Sequence, residues 1–129
     1  MNILVTGSTR GIGKVIADEL CNIGNVYRTG RNEELLKSSK CSGYCVCDLA
    51  NNVEKLVEFI KKNEIDILIN NAGEYIYGGI ETMTSEQIEN ICSTNLIAPM
   101  KLISASVSYM KTKKFGRIVN IGSISGVMG

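Results

Sequence analysis

The chain has 129 residues, of which 44% are hydrophobic and 21% charged, and its formal net charge is +1 at pH 7. That length suits one domain with a real core, and so even a charge balance recommends neither nucleic acid nor an anionic membrane as a partner. No apolar run approaches a membrane span, and the N-terminus lacks the basic and extended apolar regions of a secretion signal, so a cytoplasmic chain is expected.

Ile3, Leu4 and Val5 form a short apolar run of the kind a buried parallel strand uses. Thr6-Gly7 and Gly11-Ile12-Gly13 follow, and then a helical pattern with Ile12, Val15, Ile16 and Leu20 on one face and Lys14 and Asp18 on the other. Strand, glycine turn and helix together make a phosphate site: glycines let the backbone approach an anion, and free N–H groups at the helix start point at it. The spacing G-x-x-x-G-x-G is wider than the common G-x-G-x-x-G fingerprint, and a tight turn with no ligand is the other reading.

Asn25–Thr29 reads as a second strand, with Gly30 and Arg31 at its end. Asn32 is placed to cap a short helix carrying Leu35 and Leu36, with Glu33 and Glu34 in its first turn. Tyr44–Cys47 is a third strand, ending at Asp48-Leu49. Cys41, Cys45 and Cys47 lie close together, but their spacing is wrong for a zinc knuckle and the chain has no histidine. Alternation instead sends Cys45 and Cys47 to one face as small core residues, and an odd total of five cysteines fits reduced thiols.

An amphipathic helix starts at Asn51 or Asn52, with Val53, Leu56, Val57 and Ile60 inside. Ile65–Ile69 is a fourth strand that delivers Asn70-Asn71-Ala72-Gly73 at its carboxyl end. Thr84 and Gln87 have capping-box spacing, and a longer helix runs from Leu96 to about Lys113. Arg117–Gly122 is a fifth strand leading to Ser123. Strands alternating with helices, with no internal repeat, give a single α/β domain over 1–129, a parallel sheet wrapped on both faces.

Thr6-Gly7…Gly11-Ile12-Gly13, then Asp48-Leu49, Asn70-Asn71-Ala72-Gly73, Asn95 and Ser123 arrive in an order that resembles the short-chain dehydrogenase/reductase family from Met1 to Gly129. The resemblance implies a Rossmann-type sheet of five strands in the order 3-2-1-4-5, incomplete on its C-terminal side, and reversible hydride transfer between NADP(H) and a small-molecule carbonyl or alcohol. It implies that Gly7, Ser8, Thr9, Arg10, Gly11, Ile12 and Gly13 hold the pyrophosphate. Asp48, with Leu49 beside it, then meets the adenine edge, and Asn71, Ala72 and Gly73 pass along the nicotinamide side. Asp48 also reads as a helix cap. The main-chain carbonyl of Asn95 is expected to hold a water of the proton relay, and Ser123 to hydrogen-bond the substrate carbonyl. An ordinary loop serine is the other reading of Ser123.

Pro99 lies four residues after Asn95 and has no N–H to give its carbonyl, so an opening is expected there, at a break or start of a helix. Pro99 in the first turn of a new helix is compatible with that. Selectivity for NADP(H) over NAD(H) is expected because the second strand ends in Thr29-Gly30-Arg31, with no acid before Glu33 to accept ribose hydroxyls; Arg31 and Arg10 suit a 2′-phosphate. One departure stands out. The family's Tyr-x-x-x-Lys acid is expected beyond Ser123, whereas the chain's single such motif, Tyr109–Lys113, precedes it. The chain as given is therefore expected to lack the general acid, and a non-catalytic NADP(H) module or assembly partner is the alternative reading. Finally, Leu96, Ile97, Met100, Ile103, Val107 and Met110 form a stripe for the sheet, while Ala98, Leu102, Ala105 and Tyr109 form a second one suited to a homo-oligomer contact.

Overall fold

Alternation along the first strand decides what packs on either side of the sheet. In the computed structural model, which describes residues 1–126, β1 (Asn2–Val5) sends Leu4 to one face and Ile3 and Val5 to the other, all fully buried. β2 (Asn25–Gly30) and β4 (Ile67–Asn70) flank it, and β3 (Gly43–Val46) and β5 (Arg117–Asn120) form the edges. The five strands are parallel in the order β3-β2-β1-β4-β5, as the motifs implied. Pairing of Leu4 with Leu68 and of Val5 with Ile69 extends each strand's alternation into rows across the sheet.

The Leu4 face is covered by α3 (Val53–Asn63) and α5 (Ala98–Lys113), whose Leu56, Ile60, Ala98 and Leu102 pack with Leu68 and Cys45. Cys45 and Cys47 are buried there, and burial pushes both thiols up, that of Cys47 to about 11. α2 (Glu33–Lys37) starts where expected, the Asn32 side chain accepting the Leu35 N–H at 3.0 Å. α4 (Ser85–Cys92) has its capping box, with Thr84 and Gln87 exchanging bonds of 3.2 and 2.9 Å.

Two helices present different faces from those expected. α1 (Gly11–Leu20) covers Ile3, Val5, Val26 and Ile69 with Ala17, Ile16 and Leu20, while Ile12 and Val15 are 66% and 61% exposed. The buried residues of this helix are the small Gly13 and Ala17, and a Cβ on Gly13 would already lie 2.2 Å from the Asn71 amide nitrogen. On α5 the buried row is Ala98, Leu102, Ser106 and Met110, so Ala98 and Leu102, expected in an oligomer contact, lie in the core instead, whereas Met100 and, just before the helix, Leu96 and Ile97 are exposed. Ser106 misleads the sequence pattern because its hydroxyl donates to the Leu102 carbonyl at 2.9 Å, so it is buried without an unmet hydrogen bond. Small Ala98 and Ser106 then let α5 lie close to its neighbours.

Asp66 stands at the amino edge of the sheet, 1% exposed, accepting the Asn2 N–H at 2.8 Å and paired with Lys113 at the end of α5. Burial alone pushes its carboxyl up, but the Lys113 ammonium and the Asn2 amide outweigh that and hold it below the ordinary value of 3.8. A carboxylate held down in the folded state gives stability that is complete above its ordinary value and drains away as pH falls through the folded one. Urea unfolding between about pH 3 and pH 7 should therefore show a stability difference between wild type and Asp66→Asn that shrinks on acidification. A difference independent of pH would rule this out.

Candidate functional site

The glycine turn and the Asn-Asn-Ala-Gly segment are laced into one unit at the carboxyl edge of the sheet. The Thr6 hydroxyl accepts the N–H groups of Asn71 and Ala72, both at 3.0 Å, and the Asn71 amide donates to the carbonyls of Thr6 and Gly7 at 2.9 and 3.3 Å. Gly7 has φ +65°, and a Cβ on it would lie 2.9 Å from the Ala72 Cα. A Cβ on Gly13 would lie 2.2 Å from the Asn71 amide nitrogen and 2.4 Å from the Gly7 carbonyl oxygen. Arg10, at the N-cap of α1, provides no side-chain cap, and the first turn holds no acid. Among the described residues, the N–H groups of Thr9, Gly11, Ile12 and Gly13 find no acceptor. A helix start left open in this way is a positive pole with free donors.

That pole faces a cleft of about 620 Å³, within the range of a small-molecule or cofactor site. Gly7, Thr9, Arg10, Gly11, Ile12, Gly13, Arg31, Asp48, Leu49, Asn71, Ala72 and Gly73 all line it. Neither Arg10 nor Arg31 is in an ion pair among the described residues. Asp48 is not a helix cap: α3 has Asn52 as its N-cap, and the Asp48 carboxylate accepts the Ala50 N–H and the Asn51 amide, both at 3.0 Å, in the turn before that helix, while it also walls the cleft. Ser8 turns the other way: it is fully buried, and its hydroxyl accepts the Thr29 N–H at 3.1 Å. The donor set and the Gly13 cradle fit the pyrophosphate of a dinucleotide.

Asn95 sits in a π turn, Ser93–Ile97, through which α4 runs on into α5. The Ala98 N–H reaches back to Ser93, five residues earlier, so the helix widens rather than breaking, and Pro99 begins α5 where its missing donor costs nothing. The Asn95 side chain has a task the sequence did not reveal: it donates to and accepts from the Glu74 backbone, both at 2.8 Å, pinning the segment after β4. Ser123 is exposed beyond β5, and its Oγ accepts the Ser125 N–H at 3.2 Å. Tyr109 and Lys113 lie on the last turns of α5, with Lys113 taken up by Asp66 at the amino edge.

Sequence reasoning passed over Thr29, Gly30, Cys47, Glu74, Tyr75 and Thr94 as site residues, and these complete the cleft wall. It also passed over Arg28, whose side chain is fully buried. An arginine in the middle of a strand was the available signal.

A family model described as short chain dehydrogenase matches residues 1–129. The chain belongs to that family. Among similar relatives are a 3-ketodihydrosphingosine reductase of Bacteroides thetaiotaomicron, 38% identical over 98% of this chain and 48% of its own length, and the 3-oxoacyl-(acyl-carrier-protein) reductase FabG of Haemophilus influenzae, 39% identical over 98% and 56%. The chain thus spans about half the length of those relatives. A solved metagenomic short-chain oxidoreductase in complex with NADP is similar at a TM-score of 0.87 and 31% identity, covering 98% of this chain and 63% of the other. A Sphingobium yanoikuyae short-chain dehydrogenase in complex with NADPH gives 0.88 at 27% identity, over 98% and 55%.

Proposed function

We propose that this cleft binds NADP(H) in preference to NAD(H), as the cofactor half of an oxidoreductase acting on a small-molecule carbonyl or alcohol. The observation that carries the reading is the uncapped start of α1 facing one cleft with Arg10, Arg31 and the 71–73 backbone. The nicotinamide, when bound, supplies or accepts the hydride. The first turn of α1 offers its N–H groups to the pyrophosphate, Arg10 and Arg31 approach a ribose 2′-phosphate, and Asp48 and Leu49 border the adenine. Since the Ser123 Oγ uses a lone pair on Ser125, its proton is left to donate to a substrate carbonyl. The Asn95 carbonyl, which Pro99 cannot engage, orders a relay water.

Arg31→Ala should weaken NADPH by about tenfold, the worth of a charge-assisted bond at an exposed site, and leave NADH almost unchanged. Competitive titration checks this. Wild-type protein that binds NADH as tightly as NADPH overturns the preference.

One observation favours a second reading, an NADP(H)-binding module without turnover: the lysine of the chain's one Tyr-x-x-x-Lys is committed to Asp66 at the far edge of the sheet. Assay with ketone substrates separates the two. Exposed Leu96, Ile97 and Met100 support association between copies through the outward face of the Leu96–Lys113 helix. No described helix is long and apolar enough to cross a membrane, and the five free cysteines support the expectation of a cytoplasmic setting.

A further inference from the structure

We propose that Arg28 is a positioning residue for the anion-binding turn, acting through the Ser8–Thr9 peptide; this rests on the reading of the cleft as an NADP(H) site. Arg28 is the largest fully buried side chain, and it lies on the same face of β2 as Val26, under α1. Packing does not explain it. A buried guanidinium is costly unless its donors are all used, and an aliphatic residue would continue the apolar row at lower cost.

Its donors go to three separate segments. Nε donates to the Lys40 carbonyl at 3.1 Å, beyond α2; Nη2 pairs with Asp18 on α1; and Nη1 donates to the Ser8 carbonyl at 3.2 Å, in the glycine turn. The first two hold the planar fork in place and the third aims it. Lys14 also pairs with Asp18, at 2.6 Å, and Lys14 and Arg28 together hold that carboxyl below the usual carboxylate range. Asp18 therefore stays charged and offsets the field of Arg28. What remains for the cleft is the local effect on one peptide.

The Ser8 carbonyl and the Thr9 N–H belong to the same peptide unit. A charged donor on the carbonyl draws electron density toward oxygen and makes the N–H on the other end a stronger donor. Thr9 lines the cleft, and its N–H has no acceptor among the described residues. The same bond fixes the plane of that peptide, so the donor is aimed before any ligand arrives. Arg28 thus orients and strengthens one of the groups offered to the pyrophosphate, from behind, without touching the ligand.

The test compares a ligand with a pyrophosphate, NADPH, and one without, 2′-AMP, on wild type, Arg28→Met and Arg28→Lys. Arg28→Met should weaken NADPH by about tenfold and 2′-AMP by less than about twofold, with Arg28→Lys between wild type and Met for NADPH. In the unliganded chain, the Thr9 amide proton should move upfield in both variants. Equal weakening of both ligands would mean general loosening and overturn the proposal, as would unchanged NADPH affinity. If Arg28→Met does not fold, Arg28→Lys decides by the same comparison. Wild-type protein that fails to bind NADPH would instead remove the reading of the cleft, a result distinct from binding that survives the substitution.

Discussion

Gly13→Ala is expected to cost at least about a hundredfold in NADPH affinity while leaving a folded chain. Two effects compete. In a helix interior, alanine is favoured over glycine by about 1 kcal/mol. Against this, the new Cβ would stand 2.2 Å from the Asn71 amide nitrogen and 2.4 Å from the Gly7 carbonyl oxygen. Neither can give way alone: the Asn71 amide is bonded to the Thr6 and Gly7 carbonyls, and the Gly7 oxygen is backbone. Overpacking of this kind typically costs about 1–3 kcal/mol, so the clash wins and the net destabilisation is modest. The relief must come from displacing the start of α1, which carries the donors. NADPH titration with urea unfolding in parallel measures both effects. Gly122→Ala is the control, since its Cβ would meet nothing within 4 Å. Affinity within about threefold of wild type would mean that the turn is not the cradle.

Leu102→Glu and Met100→Glu, two residues apart on α5, should behave in opposite ways. Leu102 is fully buried in the core formed with Leu4, Leu56 and Leu68, and a carboxylate there has no partner. The penalty of several kcal/mol, added to the lost apolar burial, is comparable with the whole stability of a domain. Leu102→Glu is therefore expected to give a chain without native circular dichroism at neutral pH. Met100 is 62% exposed, so Met100→Glu should fold normally. If copies associate through this face, Met100→Glu should also sediment as a monomer where wild type does not. A natively folded Leu102→Glu would contradict the packing described here, and a wild-type monomer would remove the interface.

The order of the strands was legible because each apolar run ends in a motif that has a fixed place in the family. NNAG after Ile65–Ile69 and the glycine turn after Ile3–Val5 put those two strands side by side at the centre, and the pairing of Val5 with Ile69 agrees. Helix faces were less legible. Periodicity finds apolar residues, but on α1 it selected Ile12 and Val15, because the contact that decides the packing is made by Gly13 and Ala17, which have almost no hydrophobic weight. Ser106 was passed over on α5 for a related reason, since its polarity is cancelled by a bond inside its own helix. Most of the cleft wall was legible because glycines and strand-end residues carry it. The ties behind that wall were not. Arg28 and the side chain of Asn95 act through carbonyls and amides of residues far away in sequence, and no local spacing encodes such a bond.

The open start of α1 also has a consequence for mass action. With neither a side-chain cap nor an acid in its first turn, the pole does not distinguish a nucleotide's phosphates from those in solution. Inorganic phosphate or sulfate that occupies it stabilises the folded chain in proportion to the logarithm of one plus its concentration over its dissociation constant. The same occupancy raises the apparent dissociation constant of any dinucleotide by the factor one plus the anion concentration over its own constant. The melting temperature and the cofactor affinity of this chain are then linked quantities, moving in opposite senses as the anion in the medium is changed.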